Sequence, residues 1–304
     1  MTILAAFSVA PPAGLSQGIA QVKTAIGAVD AAVAKITGLE PPDPDNVLAT
    51  DVEAARAHAA SWTAILRPGF LALLAGVAQF GKTFDSDYAA LMMLVVKLGG
   101  NATGAIDDMK ALLTKWQVST ASEATEAKAA LQGISALEEL LQGDARALGA
   151  DQTTAVASAA AAKTAIAPLQ QQIDDTQAKI DVEQAILDSS LFGILVQQYL
   201  EHLTGQLSLF SGELDDLHDK LDAAQQSALE AAATAELAGD YVSAMSGAAG
   251  AVQSMADGWS TLDANFSDLL LAEDISDFSM FTADEIAAAK ADWDNLAQQA
   301  SGLG

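Results

Sequence analysis

Between Thr120 and Leu187 only glycines and Pro168 interrupt a helical reading. Uninterrupted helix rises about 1.5 Å per residue, so such a stretch folds as a long rod and not as a piece of a thick globule. Alanine dominates it, and alanine is the strongest helix former while burying little area per residue. The whole chain is 51% hydrophobic but only 5% aromatic. Stability in such a chain is expected to come from long interfaces between rods. No alternating β pattern of any length is present; Phe192–Val196, rich in Ile, Leu and Val, is the one short run that could be extended. The fold class is therefore all-α: an elongated bundle of about five long helices with a small apolar head hairpin.

The punctuation divides the rest. Residues 13–37 read as a helix ending near Gly38, and Glu40-Pro-Pro-Asp-Pro-Asp45 reads as a linker, because proline removes donors and fixes φ. Thr50-Asp-Val-Glu53, Thr120-Ala-Ser-Glu123 and Thr282-Ala-Asp-Glu285 have the form of capping boxes and predict helix starts. A kink or break is expected at Arg67-Pro68-Gly69, a cap at Asp85-Ser-Asp87, and an interruption at Gly99-Gly100 before helix resumes to Trp116. Pro168 predicts a kink or restart. The last helix is expected to end before Ser301-Gly302.

Two stripes carry the most information. Leu169, Ile173, Thr176, Ile180 and Leu187 recur at threes, fours and one seven; Leu207, Phe210, Leu214, Leu217 and Leu221 recur at alternating threes and fours. Such heptad-like seams zip two helices together. Between them lies Asp188–Gly205. A reversal inside it, at Gly193 or at Gln197-Gln198, brings the stripes face to face as an antiparallel hairpin. Without a turn, 186–206 is one continuous helix. In the hairpin reading, helix resumes from about Gly205, and the tip carries Leu191, Phe192, Ile194, Leu195, Val196, Tyr199 and Leu200. An apolar tip needs a cover, either neighbouring helices or a membrane. The organisation expected is a tail of 1–187 with 206–304 and a head of 188–205. Phe70–Phe80 is the other candidate for membrane contact, too short to span a bilayer alone and more readily read as a buried core helix; no uninterrupted stretch of transmembrane length is expected.

Charge excludes several partners. With 14 Lys+Arg against 40 Asp+Glu the formal net charge is -26, the opposite of what phosphate backbones or anionic lipid headgroups attract. Nucleic acid is excluded, and membrane contact must be hydrophobic or run through a partner. Cysteine is absent, which removes disulfides and thiolate chemistry. The N-terminal run MTILAAFSVAPPAG lacks a basic n-region and is a poor signal peptide. The protein is expected to be soluble before it meets a membrane.

No catalytic constellation emerges. HExxH and GxGxxG are missing. Gly99–Gly104 is glycine-rich but lacks the lysine and preceding strand of a phosphate loop. His218 lies among Glu213, Asp215, Asp216 and Asp219, yet only Asp215 shares its helix face, so a solvated acidic face is the reading, with no metal and no cofactor. The chain is read as no enzyme, with no small-molecule substrate.

The order of elements resembles a known architecture. Shorter helices, a long helix, an apolar insert, a second long helix and a C-terminal helix are similar to the cytolysin A-type α-helical pore-forming toxins. These include the Bacillus haemolysin BL and non-haemolytic enterotoxin components and the bacterial tripartite toxins. The stretch Val252–Leu270, with Trp259 followed by Leu262 and further apolar residues at helical spacing, resembles the late helix of that family. The resemblance implies a secreted, soluble toxin component with a five-helix tail and a hydrophobic head hairpin at 188–205. By the same resemblance, that component oligomerises on the lipid membrane of a target cell, beside partner toxin subunits. Gln197, Gln198, Glu201 and His202 depart from the most lipophilic heads of the family and suit a component that lines a pore beside a more hydrophobic partner. A non-catalytic helical scaffold or interaction bundle is the alternative that the same residues allow.

Overall fold

A computed structural model describes residues 8–39, 48–100, 102, 104–189, 193–271, 278 and 281–302, with the backbone only between 186 and 196. The elements are α1 (Ala13–Thr37), α2 (Ala49–Ser61), a π turn (Trp62–Leu66), α3 (Arg67–Gly99), α4 (Ala105–Ser189), α5 (Gly193–Leu270) and α6 (Ala283–Ser301). Among the described residues there is no strand. The segment α2–π–α3 is continuous, so the described residues form five rods, the number expected, although the break expected at Pro68 is absent. The proline-rich linker 40–45 and the apolar N-terminal residues 1–7 lie outside the described residues.

Two ends follow the sequence closely. Gly38 closes α1, its N–H donating to the Ala34 carbonyl at 3.0 Å. At the start of α6 the Glu285 N–H donates to Thr282 Oγ1 (3.2 Å), and the Thr282 N–H donates to Glu285 Oε2 (3.1 Å), a complete capping box. α3 stops at Gly99, and Gly104, at φ +82°, makes the left-handed step into α4.

Other boundaries differ. Helix α2 already begins at Ala49, so Thr50 lies inside its first turn. Pro68 does not break the rod. One extra residue enters the helix ahead of it, and the Arg67 N–H reaches back to the Trp62 carbonyl in π geometry. That insertion relieves the clash of a proline ring with the preceding turn. Asp85 and Asp87 cap nothing, since α3 runs through them. Asp87 instead accepts from Lys115 Nζ (2.7 Å) and Trp116 Nε1 (2.9 Å). Thr120 and Glu123 lie within α4, where the buried Thr120 hydroxyl donates to the Gln117 carbonyl. Pro168 is carried inside α4. At the far end, α5 begins at Gly193 and not near Gly205, and Ile194–Val196, allowed above as extended, have helical backbone.

Backbone contacts divide the chain into two compact units. One comprises Met1–Leu39, Ala55–Gly143 and Leu237–Gly304; the other comprises Glu40–Ala54 and Asp144–Glu236. The first gathers the scarce aromatics. Trp62, Trp116, Trp259 and Trp293 are all fully buried. Phe80 lies 4.6 Å from Trp293 and 5.6 Å from Trp259, and Phe84 stacks 5.0 Å from Trp116 (ring centroids). Edge and offset ring pairs of this kind add to the area they bury. Gly81 lets α3 meet α6, because a Cβ there would stand 3.1 Å from the Trp293 carbonyl oxygen. Lys290 of α6 pairs with Asp85 at 2.7 Å and with Asp294, and these carboxylates raise its pKa.

The second unit is a two-helix seam joined by the start of α2. On α4, Leu148, Ala162, Leu169 and Thr176 are buried at multiples of seven, with Ile166, Ile173 and Ile180 half-buried between them. On α5, Leu200, Leu203 and Ala231 are buried, and Leu207, Phe210, Leu214, Leu217 and Leu221 are half-buried. Both predicted stripes thus face inward as far as the described side chains extend. Alternate threes and fours are the geometry of a knobs-into-holes pair.

Candidate functional site

The site begins where the two longest helices reverse. α4 is 85 residues long and ends at Ser189; α5 is 78 residues long and starts at Gly193. Gln117 Nε2 donates to Ser267 Oγ (2.7 Å) and Ser246 Oγ donates to Glu138 Oε1 (2.6 Å), so the two helices run antiparallel; residues 190–192 between them lie outside the described residues, and Gly193, Gln197 and Gln198 are helical. Leu191 and Phe192 lie outside the described residues. Ile194, Leu195 and Val196 belong to the first turn of α5, where only the backbone is described. Tyr199 is 45% exposed, whereas Leu200 is buried and opens the α5 seam with Leu203. Gln197, Gln198, Glu201 and His202 are all exposed. The first described turns of α5 thus present a polar outer face and an apolar inner one.

The second apolar segment is more substantial than its sequence suggested. Because the π turn keeps the helix continuous, Ala49–Gly99 contains one stretch long and apolar enough to cross a membrane, by length and composition. This corrects the expectation that no such stretch exists, which rested on a break at Pro68. Phe70, Leu73, Leu74, Val77, Phe80 and Phe84 are nonetheless buried, turned toward the aromatic cluster. Its upper end is held to α1 by Asp30, which accepts from Trp62 Nε1 (2.8 Å) and from Arg67 Nε (3.1 Å).

Two carboxyl groups stand apart electrostatically. Glu123 of α4 is half-buried, and burial, aided by the charge of Glu126, pushes its pKa up to about 7. Asp151 is raised by burial and by a shared hydrogen bond with Asp51, whose charge opposes its own ionisation. Neither was singled out by the sequence as titrating abnormally. Glu123 was read as the end of a capping box, and the available signal was its place one residue before Ala124 on the buried stripe of α4. Among the described residues no three His, Asp or Glu side chains converge on a metal-sized site. A groove of 620 Å³ between α1 and α5 is lined by Ala, Gly, Ser, Thr and Gln, with no ionisable group to act as acid or base.

Residues 29–183 match the family model of the Bacillus haemolytic enterotoxin (HBL), just over half of the chain. The chain belongs to the Bacillus haemolytic enterotoxin family. Its fold is also that of solved toxin components. The soluble AhlC triple head mutant of the tripartite alpha-pore forming toxin AHL from Aeromonas hydrophila superposes with a TM-score of 0.66 at 14% identity, over 96% of this chain and 99% of that one. The Bacillus cereus HblL1 toxin component gives 0.64 at 14% identity, over 97% of each chain. The SmhB pore of the tripartite toxin Smh from Serratia marcescens gives 0.59 at 14% identity, over 95% and 99%. No curated protein sequence matches the chain. In this haemolytic enterotoxin family member, the family match ends at residue 183, so the reversal and the whole of α5 lie beyond it.

Proposed function

We propose that the chain is a soluble, exported component of an α-helical pore-forming toxin, which oligomerises on a target-cell membrane together with partner subunits and performs no catalysis. The observation that carries this reading is the antiparallel pair of rods of 85 and 78 residues, which meet beside an apolar run, in a haemolytic enterotoxin family chain. The head is 188–205, with Leu191, Phe192, Ile194, Leu195, Val196, Tyr199 and Leu200 as its membrane-facing residues; 1–187 and 206–304 form the tail. The likeness to AhlC and SmhB, each a component of a tripartite toxin, supports partners rather than solitary action. A net charge of -26 disfavours anionic lipid as the attractant, so the head must engage through apolar contact. Exposed Gln197, Gln198, Glu201 and His202 suit a helix with one face toward water, as in a pore lining.

The test is dye release from zwitterionic vesicles, and lysis of cells, by the protein alone and with candidate partner components of the same helical family. Deletion of 190–200 is expected to abolish release while leaving the four buried tryptophans in their native fluorescence. If the deletion variant releases dye as well as the parent does, the head assignment is wrong. If neither protein ever oligomerises on membranes, the chain is a static bundle.

A further inference from the structure

Glu123 is a half-buried acid in the first unit, with one carboxylate oxygen enclosed. Its Oε2 is enclosed and receives no hydrogen bond. Facing it on α3 is Gly76, where a Cβ would collide with the Glu123 carboxyl group. The glycine is therefore the space the acid occupies, and any larger residue would evict it. α3 offers nothing to neutralise a charge there, since it carries no titratable side chain between Arg67 and Lys82. On α4 the charged group acting on Glu123 is Glu126, of the same sign. An ionised carboxylate with one oxygen enclosed and unpaired is unfavourable, so close packing of α3 on α4 favours the protonated acid.

We propose that Glu123 is a proton-operated wedge in the α3–α4 seam: protonated, it lets α3 lie down on α4 through Gly76; ionised, it forces the two helices apart at that level. The segment it controls is the apolar run from Phe70 to Phe84. The direction with pH is fixed. A free glutamate loses its proton near 4.5, whereas Glu123 in the packed helix pair holds it to about 7. The packed state is thus fully favoured below the lower value, weakens as pH rises between the two, and gains no further penalty above. Its consequence for membrane attack rests on the pore-forming reading; the wedge itself does not.

Hydrogen exchange of the backbone amides of 70–84, corrected for the chemical exchange rate, tests the wedge in the soluble full-length chain at pH 5 to 8. The parent is expected to lose protection by about tenfold across that range, less than the full shift implies because the group is only half-buried. Glu123→Gln, which is neutral at every pH, keeps its protection constant. Gly76→Ala, which keeps the acid but displaces its carboxyl toward solvent, flattens the profile as well. A parent profile that is flat, or a Glu123→Gln profile that falls like the parent's, overturns the proposal. Dye release from vesicles over the same pH range then separates the two ideas. Release that rises with pH in the parent and not in Glu123→Gln couples the wedge to attack. Absence of release at any pH, with the exchange result intact, counts against the pore-forming reading alone.

Discussion

At the scale of single residues, identical motifs have unlike fates. Of the three Thr-x-x-Glu patterns read as capping boxes, one caps a helix. Thr282 and Glu285 exchange hydrogen bonds at the entrance of α6 because a non-helical segment precedes them. Thr50 and Thr120 sit where helix is already running, so their hydroxyls have no free N–H to accept from. Thr282→Ala is therefore expected to lower stability by about 1 kcal/mol, a few degrees in thermal midpoint, whereas Thr50→Ala changes it within about 0.5 kcal/mol. Equal effects in a thermal melt would contradict the assignment. Asp30 is the sharper probe. It is the acceptor of the fully buried Trp62 ring N–H and of Arg67. Asp30→Ala strands a buried donor and should cost about 1–3 kcal/mol. Asp30→Asn retains an acceptor for Trp62 and should recover part of that loss, read by chemical denaturation.

At the scale of elements, the legibility of the fold followed the physics of each signal. Periodicity identified the α4–α5 pair, because a seam repeated over several heptads cannot be produced by accident of one residue: Leu169, Thr176, Leu207 and Phe210 all turn inward. Breakers were less dependable. Pro68 and Pro168 are both absorbed inside helices, the first through a π turn that no local pattern announces. Long rods make this possible, since packing along tens of residues outweighs about 3 kcal/mol for one proline. Of the candidate tip's described side chains, Tyr199 is exposed and Leu200 buried, a difference the apolar pattern alone did not separate because the seam's register decides it. That register makes a prediction. Leu203, 3% exposed, and Leu209, 69% exposed, differ by six positions on one helix. Leu203→Ala should destabilise by about 2–3 kcal/mol and Leu209→Ala by less than about 0.5, measured as denaturant midpoints. A reversed order would mean that the α5 register is shifted.

At the scale of the whole molecule, the dominant fact is an uncompensated charge of -26 on a chain whose surface is otherwise rich in alanine. The described ion pairs are few and mostly exposed, such as Lys35–Asp240 and Lys220–Asp216, and pairs of that kind add little. Repulsion among the acids keeps an Ala-rich surface from self-associating in solution. The same repulsion opposes any assembly that brings copies side by side. Its range is the Debye length, about 30 Å at 0.01 M salt and about 8 Å at 0.15 M. Assembly on zwitterionic vesicles should therefore accelerate as salt rises from 0.01 to 0.3 M, while addition of anionic lipid should slow it. The opposite would hold for a toxin recruited by a basic patch, which gains from low salt and anionic headgroups. Dye-release half-times across that salt and lipid grid distinguish the two. If release is fastest at low salt on anionic vesicles, an attraction stronger than the net charge governs the encounter, and recruitment must run through the few cationic side chains or a basic partner subunit.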